Sequence, residues 1–313
     1  MNDGANIMKT TYRLTGVCIL VTIAFAALTQ AAEMGTTFAT AEEAAQALAT
    51  ATGANDRDAV RAIFGLATDE LVAADPVQAG NDREKFAAAF QVAHRLTKKS
   101  DTEMVLEIGK DNWPFPIPLV QKDGRWFFDT DAGKQELLNR SIGRNELDTL
   151  ETVRAYVDAQ REYASRDRDG DEVLQYAQKF GSTPGKKDGL YWSPDLDGEI
   201  SPLGPLVAEA RDEGYRKKGN DARVPYHGYF FKILTRQGSQ APGGKYSYII
   251  NGRMIAGFAL VAWPAQYGES GIMTFIVNQQ GRVYQKDLGS KTAKLTEAMK
   301  AYDPGAGWVL SPD

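Results

Sequence analysis

The run "DRDGDE", Asp167–Glu172, concentrates carboxylates more densely than its surroundings. Asp167, Asp169 and Asp171 alternate, and alternating acids can converge hard oxygen ligands on Ca²⁺. The match to a helix–loop–helix calcium loop is incomplete. Gly170 falls before the third acid and Gln178 occupies the twelfth position, so the match fails on both counts and the run better suits a solvated acidic turn. "SPDLDGE" offers a second acid group, Asp195, Asp197 and Glu199. Carboxylates from the two runs, with His227 as a base, are what a hydrolase of cell-wall or polysaccharide material needs.

Much other chemistry is excluded. The only histidines are His94 and His227, too few for a three-histidine zinc site. "GSTPGKK" is one residue short of a phosphate loop and carries Lys187 where Ser or Thr belongs. "YGESG" ends its would-be nucleophile elbow on Ile272 instead of glycine. Aromatic side chains in expected loops, Tyr191, Trp192, Tyr226, Trp263 and Tyr267, with His227 among them, supply contact area for a peptide, a glycan or a partner protein. They are the expected binding residues; the expected metal residues are Asp167, Asp169 and Asp171, with calcium the one cofactor suggested.

Lys9 and Arg13 precede the apolar run Leu14–Leu28, and small residues follow. That is the layout of a secretory signal, expected to be cleaved after Ala31. The run is shorter than the roughly 20 residues that span a bilayer, so no stable span is expected after cleavage. Cys18, the only cysteine, lies inside this segment. A thiol-free mature chain excludes disulfides, thiolate catalysis and cysteine-ligated zinc. Export without disulfides fits a periplasmic or secreted protein. The net charge of −5 argues against nucleic acid as a partner.

The elements that position these residues follow from periodicity. The chain is expected to be α+β, in two domains after the signal peptide of residues 1–31. Residues 32–140 form helices with a small antiparallel hairpin; residues 141–313 form a long helix packed on an antiparallel sheet. Residues 32–100 show helical spacing, with Thr40/Glu43 and Asn81/Glu84 as capping pairs. His94 falls on the third of these helices, whose apolar face is Phe86, Phe90, Val92 and Ala93. Pro114, Pro116 and Pro118 alternate, which suits an edge strand. Leu147, Leu150, Val153, Tyr156, Val157 and Tyr163 mark one stripe of the long helix, which Gly143 is expected to bend or break. Residues 166–223 are loop-rich, with short helices in "EVLQYAQKF" and "PLVAEARDEG". In "GFALVAWPA" both alternating sets are apolar, so this strand is expected to be covered on both faces.

The segments "DNWPFPIPLV", "GRWFFDTDAGKQELLNRSIGRNEL", "YAQKFGSTPGKKDGLYW", "ISPLGPLVAEA", "PYHGYFFKIL" and "GFALVAWPAQYGESGIMTFIVNQQGRVYQKDLG" resemble domain-of-unknown-function family 2950 of exported bacterial proteins. The resemblance implies export and no established activity. Glu146–Gly289, a helix followed by strands, also looks like the globular part of type IV pilin-like and pseudopilin proteins. It lacks their membrane-spanning half-helix, and fold alone does not license function. The sequence therefore points to a non-enzymatic binding or structural module, its partner another envelope protein or an extracellular polymer. The alternatives are the hydrolase and a calcium-stabilised structural module.

Overall fold

The computed structural model describes residues 35–65, 76–213, 215 and 224–312. The expected signal segment lies outside the described residues, as does the short basic run "RKK" at 216–218, which sequence alone would read as a solvated loop. The fold is α+β, in two compact units. Of the described residues, 35–65 with 84–134 form one, and 76–83 with those from 135 onward form the other.

The first unit opens with α1 (Ala41–Gly53) and α2 (Arg57–Phe64). Thr40 Oγ1 accepts from the Glu43 N–H at 3.1 Å, and Glu43 Oε2 accepts from the Ala39 N–H at 3.0 Å, so the first turn is capped from both directions. Helix α3 (Pro76–Val92) follows. It starts at Pro76, where a missing N–H costs nothing, and not at the expected Asn81 cap. Asn81 instead donates to the Glu213 carbonyl at 3.2 Å, within the second unit. Phe86 and Phe90 are buried as expected, but Val92 is 58% exposed because the helix ends there.

Residues after Ala93 are a strand, not a continuation of that helix. β1 (His94–Ser100) pairs antiparallel with β2 (Glu103–Ile108) over nearly its full length. The helical spacing of "VAHRL" was overridden by this long-range ladder. β3 (Trp113–Pro114) and β4 (Leu119–Lys122) both pair with β2, and β5 (Arg125–Phe128) pairs with β4, giving five strands where a hairpin was expected. Phe64, Phe115 and Phe128 stack and cross edge-to-face behind the sheet.

Helix α4 (Thr130–Tyr163) is continuous. Gly143 does not break it: the residue is exposed, and a Cβ there would meet no atom within 4 Å. In the second unit Leu150, Val153, Tyr156, Val157 and Tyr163 enter the core, but Leu147 is 65% exposed. The core sheet runs β14-β13-β12-β11-β6, all antiparallel. Its members are β6 (Tyr229–Leu234), β11 (Ala259–Pro264), β12 (Met273–Asn278), β13 (Tyr284–Asp287) and β14 (Val309–Leu310). Every residue of β11 is buried, as its two-sided apolar pattern requires. Tyr156 Oη donates to the Ala259 carbonyl at 3.2 Å, which fixes α4 to one face. Lys232 Nζ reaches the Thr296 and Glu297 carbonyls at the end of α6 (Thr292–Ala298), on the other face. Between β6 and β11 run the short strands β7 (Arg236–Gln237), β8 (Tyr246–Ser247), β9 (Ile249–Ile250) and β10 (Arg253–Met254).

"EVLQYAQKF" is not a helix. Its backbone groups are committed elsewhere. The Tyr176 N–H donates to the Met254 carbonyl at 2.8 Å. The buried amide of Gln160 donates to the Ala177 carbonyl and accepts its N–H, both at 2.8 Å. "PLVAEARDEG" does form a helix, α5 (Gly204–Asp212). No helix among the described residues is long and apolar enough to cross a membrane.

Candidate functional site

Strand β6 is one edge of the core sheet, β14 the other. Its register with β11, and the bond from the Ala265 N–H to the Gly228 carbonyl at 2.8 Å, place residues 230, 232 and 234 in hydrogen-bonded pairs. Tyr229, Phe231 and Ile233 therefore direct their backbone groups outward. At Tyr229 the outward groups are taken by Tyr226, with bonds of 2.9 and 3.0 Å. Thr235 uses its carbonyl to accept the Tyr248 N–H at 2.8 Å. Phe231 and Ile233 have no such partner among the described residues.

A pocket of about 620 Å³ lies here. Successive β6 residues, Phe230 to Ile233, line it. Successive residues face opposite sides of a strand, so the pocket follows the strand's edge. Thr152 and Tyr156 of α4, Leu206 and Val207 of α5, and Gln178, Lys179 and Phe180 of the irregular region supply the other walls. The lining is mainly aliphatic and aromatic with a few polar groups, the usual make-up of a binding pocket. Gln160 holds the 177 segment, and hence one wall, against α4.

Tyr226 lines the pocket and opens the turn that precedes β6. Its two bonds with Tyr229 enclose His227 at φ +48 and Gly228 at φ +72. Two consecutive left-handed residues make the turn that matches strand twist. Gly228 is required: its Cβ would lie 2.8 Å from Asn145 Nδ2 and 2.9 Å from Ser270 Cβ. His227 is buried between Asp148 of α4 (Nδ1 to Oδ2, 3.3 Å) and Glu213 just beyond α5 (Nε2 to Oε2, 3.4 Å). The backbone N–H of His227 donates to Tyr215 Oη at 3.3 Å. Burial raises the Tyr226 phenol, and Glu213, Glu209, Asp148 and Glu151 raise it further. This end of the pocket is acidic.

The three expected calcium ligands do not converge. Asp167 accepts the N–H groups of Asp169, Gly170 and Glu172 at 3.1, 2.8 and 2.7 Å, which closes a turn and holds its carboxyl below the usual range. Asp169 accepts from Gln175 Nε2 at 2.6 Å, and Asp171 pairs with Arg253. Among the described residues no three His, Cys, Asp or Glu side chains are grouped to hold a metal. In the second acid group, Asp197 and Glu199 share Lys187, whose hydrogen bonds lower both carboxyls. Arg168 adds to Glu199 at 3.2 Å. Asp195 accepts from its own Ser193 hydroxyl at 2.7 Å.

The aromatic residues do not share one groove. Trp192 is buried, donates to the Glu199 carbonyl at 3.0 Å and lies between Arg168 and Lys187, 4.9 and 5.5 Å from its ring. Tyr191 accepts from Arg211 at 2.7 Å. Trp263 is a core residue against Phe230, with ring centroids 5.8 Å apart. Tyr267 is exposed and donates to Asp287 at 3.2 Å. The rings of Tyr226 and His227 are in contact, with centroids 4.1 Å apart. His94, on β1, stacks on Phe90 and lies 3.2 Å from Glu42.

These features define a class: an α+β protein whose second unit carries a mainly apolar pocket along the β6 edge of its core sheet. The chain belongs to the protein family of unknown function DUF2950, whose model matches residues 35–310. No curated protein and no solved structure matches it.

Proposed function

We propose that this is an exported, periplasmic or secreted protein that works as a non-enzymatic binding module. It holds another envelope protein or an extracellular polymer at the β6 edge, under the irregular region. The observation that carries this reading is the apolar pocket of about 620 Å³ at that place. The packing of α4 on an antiparallel sheet supports a pilin-like scaffold. The basic and apolar pattern before Ala31 supports export.

Titration with the apolar fluorophore N-phenyl-1-naphthylamine tests the pocket. Saturable binding is expected in the native protein, and its loss in Val207→Arg with the circular dichroism unchanged. Equal binding by both proteins contradicts the reading.

A second reading, hydrolysis of cell-wall or polysaccharide material, has one observation in its favour. His227 stands between two carboxylates, an arrangement able to hold and move a proton. Release of soluble fragments from peptidoglycan, abolished in His227→Asn, would establish it. Asparagine tolerates the left-handed turn, so that variant removes the imidazole alone.

A further inference from the structure

The pocket reading leaves open what kind of molecule enters. Two features of the walls narrow it. The first is the backbone. Between the closures at Tyr229 and Thr235, the outward N–H and C=O groups of Phe231 and Ile233 make no hydrogen bond among the described residues. Unpaired strand edges are templates for another chain, and proteins usually cover or charge them. Here the edge is flanked by a mainly apolar lining from α4, α5 and the irregular region. Its polar groups donate elsewhere: Thr152 to the Asp148 carbonyl, Tyr156 to Ala259, Gln178 to Gly252, and Lys179 to Thr183 and Asp188. An occupant that fills only the apolar volume would bury the outward backbone groups of β6 unpaired, which is costly. A polypeptide in extended conformation meets both demands. Its main chain pairs with Phe231 and Ile233, and every second side chain enters the pocket.

The second feature is charge. Glu151 on α4 and Glu209 on α5 are exposed, and both act on the Tyr226 phenol at one end of the pocket. No cation is paired with either carboxylate among the described residues. A lysine or arginine at the corresponding end of the incoming strand would complement them.

We propose that the pocket accepts a strand of another polypeptide, which extends the core sheet at β6. The strand carries apolar residues at alternate positions and a basic residue at the Tyr226 end. This rests on the pocket being a binding site, and the test separates the two ideas.

A displayed library of random octapeptides is selected on the immobilised full-length protein. Enrichment of alternating apolar positions with Lys or Arg at one end is expected. The best peptide is then synthesised in two forms, each N-methylated at alternate residues, so that one form blocks each edge. One methylated form should lose at least about tenfold in affinity, the loss of one or two backbone hydrogen bonds. The other should bind like the parent. Ile233→Pro removes an outward donor where an edge strand tolerates proline, and should weaken the parent peptide to a similar degree. If that variant fails to fold, the methylated peptides still decide. Equal binding by both methylated forms would overturn strand addition while leaving the apolar pocket intact. Failure to enrich any peptide, with the fluorophore still bound, would also overturn it. Loss of peptide and fluorophore binding together would remove the pocket reading itself. Concentration-dependent dimerisation through β6 in sedimentation velocity would overturn it in favour of a second copy as occupant.

Discussion

At the residue scale, the acids that looked most like a reaction centre hold the irregular region together. Asp188, an acid of the same region that the sequence did not single out, shows this most clearly. Burial alone would raise its carboxyl, but Lys179 at 2.6 Å and the N–H and hydroxyl of Thr183 outweigh burial and bring it to about 2. The folded value lies below the ordinary 3.8, so the interaction is fully present above pH 3.8 and is lost as pH falls towards 2. Asp188→Asn is therefore expected to lower stability by about 1–2 kcal/mol at neutral pH and to converge with the native protein near pH 2. Denaturant melts at the two pH values check this; an equal deficit at both would show that charge is not the cause. His227 could be singled out from sequence because histidine is so scarce. Its partners Asp148 and Glu213 could not, because only the folded chain brings α4, the end of α5 and the turn together.

At the scale of elements, periodicity was informative where packing agrees with it. The α4 stripe and the two-sided pattern of β11 were legible for that reason. It failed where distant partners take the backbone. Residues 94–100 joined β2, and residues 172–180 were captured by Met254 and by the Gln160 amide. Gln160→Ala would leave both backbone groups of buried Ala177 unpaired, and is expected to cost about 2–4 kcal/mol in a denaturant melt. A change below about 0.5 kcal/mol would show that water replaces the amide without loss. Gly143 gives the opposite sign. It sits exposed within a continuous helix, so Gly143→Ala should stabilise by about 0.5–1 kcal/mol. Destabilisation instead would mean that α4 needs a flexible point there.

At the scale of the whole molecule, the core sheet of the second unit carries one of its edge strands, β6, beside an apolar pocket. This edge was not legible in the sequence. "YFFKIL" shows that a strand exists, but which strand ends the sheet depends on pairings more than 20 residues apart in the chain. The aromatic residues expected to form a groove are mostly fixed in place by Arg168, Lys187, Arg211, Phe230 and Asp287. The recognition surface we propose lies instead along β6. Amide hydrogen exchange across β6, followed by NMR with and without a selected peptide, measures this most directly. Fast exchange at Phe231 and Ile233, slow exchange at Phe230 and Lys232, and marked slowing of the fast pair on peptide binding are the predicted results. Uniformly slow exchange along the free strand, or a fast pair untouched by bound peptide, would contradict the account.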